Sequence, residues 1–330
     1  MEGGTKISPF TRRSTTRALL TIAGEYAIIT IAIAAAALPD TGWPVKVVAI
    51  LVVGTRQYAL GEALLHEASH WHLSKSKAVN DLLGALLAWP VFTSLTAYRR
   101  FHNRLHHEID IDDPENSIWE DYEGWGLPAP SRRLNFAGAF WLLVLRPAVG
   151  LTGIMHLSKT VQDFGYDFDL RETRLMLTAW AVVIVGATYF FMWPELILYW
   201  LIPYAFIFST LNYWSEVGDH YRVRGAKTRS DLNWFVNTFI SHNIGYHALH
   251  HKYSSIPWFR LPEAYRAHKA EIVEQVSHGY LESFVQITAY TPLPEKFELQ
   301  MPAVRRSGAD GGTVMVTTLP LLSLSLPSPT

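Results

Sequence analysis

Four long apolar runs stand out along the chain, and they occur as two pairs. A helix that crosses a bilayer needs about 20 consecutive, mostly apolar residues. A short turn separates the members of each pair, at 39–44 in the first pair and at 193–195 in the second, so each pair predicts a helical hairpin. The four predicted spans are 17–38, 45–65, 175–192 and 196–213.

Two weaker apolar stretches lie between the hairpins. Pro90 interrupts the stretch 82–97, and Arg146 with Pro147 interrupts the stretch 136–155. Both are therefore predicted to be interfacial or re-entrant helices rather than full spans. The pattern as a whole predicts an all-α integral membrane protein, with four transmembrane helices in two hairpins plus interfacial helices.

No repeat or linker divides this chain into two folding domains. We predict a cytoplasmic N-terminal segment at 1–16 and one membrane domain at 17–306. The remainder, 307–330, is rich in Gly, Ser, Thr, Pro and Leu, and its apolar piece is short and bounded by proline. This composition predicts a disordered tail rather than a fifth span.

The distribution of basic residues predicts the orientation. Arg12, Arg13 and Arg17 precede or begin the first span, and the large polar segments follow the second and fourth spans. The two connections on the opposite side are short and almost free of basic residues. The positive-inside rule then places both termini and the polar mass in the cytoplasm. The first apolar run has no signal-peptide cleavage site after it, so we expect a retained span and a multi-pass protein.

Composition excludes several classes of chemistry. A net charge of −1 and the lack of a dense basic block give no indication of nucleic-acid binding. The chain has no cysteine, which rules out disulfides, a cysteine nucleophile, cysteine-ligated zinc and a protein-held iron–sulfur cluster. Histidine and oxygen ligands remain, and histidine is abundant, with 14 residues.

Eight of these histidines form three clusters on one side of the predicted membrane. On a helix, residues three or four positions apart share a face, so each cluster presents its imidazoles in one direction. Neutral imidazole is a ligand for iron, zinc and copper, and eight partly buried rings without partners would cost about 1–3 kcal/mol each. We therefore predict a cytoplasmic helical cap that holds a histidine-rich metal site. The clusters are His66 and His70; His102, His106 and His107; and His247, His250 and His251.

The first cluster also matches a protease motif. His66-Glu67-x-x-His70 has the H-E-x-x-H form of zinc metalloproteases, in which the glutamate is the general base. An intramembrane protease would take a third ligand from an Asp in another span, and the later predicted spans contain none. A ferritin-like E-x-x-H site fails too, because it needs a second copy of the motif. We instead expect Glu67 to accept a hydrogen bond from a ligating imidazole, and His72 to lie out of phase.

In their order and spacing, the clusters resemble the three histidine boxes of the membrane fatty acid desaturase/hydroxylase superfamily. The boxes read H-x3-H, H-x3-H-H and H-x2-H-H, and the resemblance extends through "NDLLGALLAWPVFTSLTAYRRFHNRLHH" and "NIGYHALHHKYSSIPWFRLP". It covers about residues 60–262. The resemblance implies two iron ions held mainly by histidine, with O2 as co-substrate, and zinc can replace iron during purification.

The same resemblance implies a further histidine ligand after the fourth span, and His220 is the candidate. Glu216 lies one turn earlier on the same face and is a candidate ligand or partner of a metal-bound water. Asn243, one helical turn before His247, is a candidate to orient a ligand. The acidic turn 108–116 is interpreted as a solvated loop.

The function implied by the resemblance is desaturation of a fatty acyl chain on a lipid, acyl-CoA or acyl carrier. A hydroxylase or ketolase acting on a fatty chain, carotenoid or alkane is the main alternative, and the zinc protease is a remote one. A non-enzymatic membrane scaffold remains open as well. The absence of a fused electron-transfer domain implies a separate ferredoxin-like or cytochrome b5-like donor at the cytoplasmic face.

Overall fold

The computed structural model describes residues 6–111, 113 and 115–291. The predicted tail at 307–330 and the first five residues of the N-terminal segment lie outside the described residues. The described chain is predominantly helical. Its helices are α1 Thr15–Ala36, α2 Trp43–Ser69, α3 Lys77–Val91, α4 Leu95–His107, α5 Ser117–Gly124, α6 Phe136–Ala148, α7 Leu151–Tyr166, α8 Arg171–Tyr189, α9 Trp193–His220, α10 Trp234–Phe239, α11 His247–Lys252, α12 Leu261–His268 and α13 Tyr280–Thr288.

The first predicted hairpin is present as α1 and α2. The side chain of Ser14 caps α1 by accepting a hydrogen bond from the Arg17 N–H at 3.3 Å. Pro44 lies in the first turn of α2, where its missing N–H has no helical partner to lose. The chain reverses between the helices through Asp40, which has a left-handed φ of 60°. The two predicted spans therefore agree with α1 and α2 to within a few residues.

Among the described residues, three helices, α1, α2 and α9, are long and apolar enough to cross a membrane, which indicates a membrane protein. Two bent pairs, α3/α4 at 98° and α6/α7 at 73°, would raise the number to five if each pair were one span. Helix α8 covers most of the predicted third span but is not among these helices. Its first turn carries Arg171, Glu172 and Arg174, which shorten its apolar part. The four-span topology stays a prediction.

The bend between α3 and α4 falls at the stretch that Pro90 interrupts. Phe92 has a left-handed φ of 61°, and Ser94 caps α4. The Glu172 carboxylate of α8 accepts hydrogen bonds from the backbone N–H groups of Leu95 and Thr96 at 3.0 and 2.9 Å. A carboxylate stabilises the positive end of a helix, so α8 fixes the start of the helix that carries the second histidine cluster.

The expectation of a purely α fold misses a small parallel sheet. Strand β1 (Arg229–Asp231) pairs with β2 (Gln275–Ser277), with Arg229 opposite Gln275 and Asp231 opposite Ser277. Strands of three residues leave no alternating pattern long enough to detect in a sequence. The sheet ties the segment after α9 to the segment before α13.

Helices α2 and α9 approach each other closely. A Cβ atom on Gly54 of α2 would lie 2.3 Å from the Cβ of Ile207 in α9, so glycine is required at this contact. Both helices carry a predicted metal ligand near their C-terminal ends, His66 in α2 and His220 in α9. The close packing therefore holds two parts of the candidate site in register.

Candidate metal centre

All nine predicted histidine ligands come together in two adjacent groups. Within each group, one ring nitrogen from every histidine lies within 4.8 Å of the others. The five-histidine group is His66, His70, His102, His107 and His250. The four-histidine group is His106, His220, His247 and His251.

The two groups are adjacent, because α4 and α11 each contribute histidines to both. The rings of His107 and His251, one from each group, stack with their centroids 4.3 Å apart and an interplanar angle of 16°. The rings of His106 and His107, neighbours in sequence, lie 5.5 Å apart on opposite sides of this boundary. The arrangement is therefore one cluster with two binding positions.

A π-helical segment explains how the second cluster divides. The end of α4, Arg100–His107, is a π-helix, in which hydrogen bonds join residues five apart. His102 and His107 consequently stand one turn apart and face the same group, while His106 faces the other. The α-helical expectation had paired His102 with His106. A second π segment, Ala59–Leu64, precedes His66, and such segments are frequent at functional sites.

The ring nitrogens of the four-histidine group are placed to bind a metal ion rather than to form hydrogen bonds with one another. The Nε2 atom of His247 lies 2.7 Å from the Nε2 of His220 and 3.0 Å from the Nε2 of His251. A neutral ring nitrogen either donates or accepts, so three converging Nε2 atoms cannot all be paired by hydrogen bonds. A shared cation satisfies all three lone pairs, and an all-nitrogen donor set suits iron, zinc or copper.

The five-histidine group shows the same convergence. The Nε2 atoms of His66 and His250 lie 2.7 Å apart. The buried Nε2 atoms of His70, His102 and His107 have no hydrogen-bond partner within the described parts of the chain. Three unpaired buried nitrogens would cost about 1–3 kcal/mol each, which metal ligation would remove.

Burial keeps these imidazoles in the form that binds metal. Burial lowers the pKa of His247, His250 and His251 well below the usual value, and neighbouring histidines lower it further. Burial also lowers the pKa of His70 to about 3. The four rings are therefore neutral at pH 7, with a lone pair available on each.

Side chains of α3 and α4 donate hydrogen bonds to carbonyl groups at the end of α2. Asn80 donates to the carbonyl of Ala68 at 2.9 Å, and Arg99 donates to the same oxygen at 2.9 Å. Asn103 donates to the carbonyl of Ser69 at 3.0 Å. These bonds satisfy the last carbonyls of the helix and fix the first cluster against the second. The sequence interpretation did not identify these three residues.

Glu67 contacts a different partner from the one expected. Its Oε2 atom accepts hydrogen bonds from Nδ1 of His72 at 2.6 Å and from the backbone N–H of Trp258 at 3.0 Å. The expected bond to a ligating imidazole is wrong, because the helix has ended and His72 has folded back over it. The His72 ring stacks on His70, with centroids 5.7 Å apart. Glu67 thus joins the first cluster to the segment after the third.

Two further polar residues support the ligands. Asn116 is buried, and its Nδ2 donates to the carbonyl of His106 at 3.0 Å, so this end of the acidic turn is not solvated as expected. Oδ2 of Asp219 lies 3.7 Å from Nδ1 of His247, where a carboxylate can orient the ring. The sequence interpretation did not identify Asp219, for which the available signal was its position beside His220.

The remaining two candidates lie beside the cluster rather than in it. Glu216 belongs to neither histidine group, is half-buried, and interacts electrostatically with Glu62 and Asp219. Asn243 has a left-handed φ of 66° and lies on a turn before α11, so the expected helical relation to His247 is absent. Its side chain donates to the carbonyl of Trp258 at 3.3 Å.

One carboxylate near the histidines was not expected. The Tyr98 hydroxyl donates to Oε1 of Glu62 at 2.7 Å, and the Tyr98 ring lies 5.3 Å from the ring of His102. Each residue precedes the first histidine of its cluster by four positions. The pair places a hydrogen-bonded tyrosine and carboxylate beside the five-histidine group.

Comparison with known proteins gives a consistent result. The family model for fatty acid desaturases matches residues 41–281. The chain is 24% identical to the dihydrorhizobitoxine desaturase of Bradyrhizobium elkanii, over 78% of this chain and 75% of that one. It is 26% identical to the sn-1 acyl-lipid omega-3 desaturase (ferredoxin) of a Nostoc species, over 66% of each chain. It is also 26% identical to the sphingolipid delta(4)-desaturase of Candida albicans, over 69% of this chain and 63% of that one.

Proposed function

We propose that this chain, which belongs to the fatty acid desaturase family, removes two hydrogens from a fatty acyl chain at a pair of iron ions held by its nine clustered histidines. Membership of the family makes it an oxidoreductase of the desaturase class. The observation that supports two ions rather than one is the division of the histidines into two adjacent groups. A single zinc with an open position would need only three of them.

Each group supplies a distinct part of the proposed centre. His66, His70, His102, His107 and His250 would hold one ion, and His106, His220, His247 and His251 the other. Iron in such a site would supply the activation of O2 that C–H cleavage requires. The chain's own part is to fix the rings from buried positions and keep bulk water away, since six of the nine histidines are buried.

Neighbouring side chains would orient the ligands and hold a proton near them. Glu67 would fix His72 against His70, and Asp219 would orient the ring of His247. The Tyr98 hydroxyl, bonded to Glu62, holds a proton beside His102. Glu216 remains a proposed outer partner of the four-histidine group.

In the proposed topology, the protein crosses the membrane with four helices in two hairpins. The histidine cluster lies at the cytoplasmic side.

The relatives carry different substrates in their names, dihydrorhizobitoxine, an acyl lipid and a sphingolipid. We propose that the part of the substrate that reacts in this protein is a long apolar acyl chain. One relative is named for ferredoxin, which supports a separate ferredoxin-like or cytochrome b5-like electron donor docking at the cytoplasmic face.

Product analysis in a host that supplies the electrons tests this function. Expression of the chain should yield lipid species that have lost two hydrogens relative to the control, detectable by mass spectrometry of lipid extracts and of free and carrier-bound acyl chains. The matched control is the His250→Ala variant expressed to the same level. Products that have gained an oxygen atom would instead identify a hydroxylase or ketolase, and cleaved membrane proteins would identify the protease.

A further inference from the structure

A buried ion pair lies in the middle of the first helical hairpin. Nη1 of Arg56 in α2 lies 3.1 and 3.0 Å from the two carboxylate oxygens of Glu25 in α1. The two side chains are only 11% and 7% exposed. Charged residues inside membrane helices are costly, so they are retained where they serve a purpose. The proposed chemistry at the histidines does not use this pair.

The position of the pair along its helices sets its depth. Arg56 is the midpoint of the 27-residue helix α2, which is about 40 Å long at 1.5 Å per residue. The hydrocarbon core of a bilayer is about 30 Å thick. If α2 stands along the bilayer normal and spans the whole core, Arg56 is about 10 Å or more from both edges. Glu25 is likewise near the middle of the 22-residue helix α1.

This pair contacts a segment that follows the last predicted span. Nη2 of Arg56 donates to the carbonyl oxygen of Phe239, the last residue of α10. Nε2 of His242, in the turn after α10, lies 3.0 Å from Oε1 of Glu25. The end of α10 therefore lies beside the ion pair, at the same level of the first hairpin.

Helix α10 has the surface that this depth requires. Trp234, Phe235 and Phe239 point outward and are 70%, 51% and 51% exposed. On its inner side Asn237 is buried, donates to the carbonyl of Asp231 at 2.7 Å and accepts the N–H of Gly245 at 3.1 Å. The helix thus turns an aromatic face outward and a polar side chain inward.

The turn after α10 is also suited to a medium without water. The backbone N–H groups of Ile240 and Ser241 both bond to the carbonyl of Val236, and that of Asn243 bonds to the carbonyl of Asn237. Within hydrocarbon, backbone groups must be satisfied by the protein itself. The turn meets this condition for each of these three donors.

We propose that α10 is a re-entrant membrane insertion. The face formed by Trp234, Phe235 and Phe239 contacts lipid acyl chains, and the Glu25–Arg56 pair anchors the end of the helix within the bilayer. This differs from the prediction that all of the polar segment after α9 lies in the cytoplasm. Because the chain runs from this anchor directly into α11, the insertion sets the position of the third histidine cluster relative to the membrane helices.

The depth of a label on α10 tests the insertion independently of catalysis. The chain has no cysteine, so Phe235→Cys gives a single attachment site for a nitroxide in protein reconstituted into liposomes. Oxygen partitions into hydrocarbon, and a charged nickel chelate stays in water. Their separate effects on the electron paramagnetic resonance spectrum of the nitroxide therefore report the depth of the label in the bilayer. Ile31→Cys, on the exposed face of α1, is the lipid control, and Glu263→Cys, on the exposed face of α12, is the water control.

If α10 inserts into the bilayer, the Phe235→Cys label should be accessible to oxygen and shielded from nickel, like the control label at position 31. Nickel accessibility equal to that at 263 would overturn it. A label shielded from both reagents would also overturn it, because protein, such as a second copy of the chain, would then cover the face.

Removing one charge of the pair tests the anchor. Glu25→Gln in the Phe235→Cys background keeps the shape of the side chain but leaves Arg56 without its counter-ion. The label should move toward water, with nickel accessibility rising and oxygen accessibility falling. Glu195→Gln, at an exposed carboxylate of α9, is the matched control and should leave both unchanged. An unchanged label depth in Glu25→Gln would overturn the anchoring role.

Discussion

Replacing His106 or His250 with alanine should lower the rate of desaturation by more than about 100-fold. Changing a residue that only supports a metal ligand typically costs 10–100-fold, and these two residues are proposed to bind metal directly. One belongs to each histidine group, so either loss should disable the whole centre. The measurement is the yield of desaturated product at matched protein levels.

Two other histidines provide the controls for this experiment. His156 is half-buried on α7, where its Nε2 lies 3.1 Å from the Tyr204 hydroxyl, and His278 is exposed beside Glu282. His156→Ala and His278→Ala should keep activity within a few-fold of the unchanged protein. Full desaturation activity in His250→Ala, combined with loss in His66→Ala, would contradict the two-group centre.

Replacing Arg229 with methionine should destabilise the region around His220. Arg229 is fully buried in β1, donates to the carbonyl of Gly218 in α9, and donates from Nε to Gln286 at 2.8 Å. Burial lowers its pKa to about 10, so it is still charged at pH 7. Methionine fills much of the space but leaves these acceptors unpaired, at a cost of about 2–4 kcal/mol.

Thermal unfolding in detergent measures this effect. The expected loss corresponds to a melting temperature about 5–10 °C lower. Arg266→Met is the matched control, because Arg266 is exposed on α12 and its Nε bonds to the nearby carbonyl of Pro262. A melting temperature of Arg229→Met equal to that of Arg266→Met would show that the buried guanidinium does not secure the end of α9.

The first hairpin and the histidine clusters could be predicted because their signals are local. An apolar run of fixed length, or histidines three or four positions apart, depends on neighbouring residues alone. His220 was different, since only the family resemblance pointed to it, and the structure places it 2.7 Å from His247.

The structural features that could not be predicted from the sequence depend on contacts between distant segments. Nothing in the sequence around His102 distinguishes an α-helix from the π-helix that sends His106 and His107 into different groups. The partners of Glu67 are His72, five residues away, and the backbone of Trp258, 191 residues away. A backbone partner leaves no trace in side-chain patterns, so only the fold reveals it.

Metal content per chain tests the central claim most directly. Protein purified in detergent from an iron-supplemented host should contain two metal ions per chain by elemental analysis, with iron and zinc counted together because zinc can occupy histidine sites. Two ions per chain, reduced in both His106→Ala and His250→Ala, is the predicted result. One ion or none, or a content that neither substitution changes, would contradict a two-metal centre built from the nine histidines.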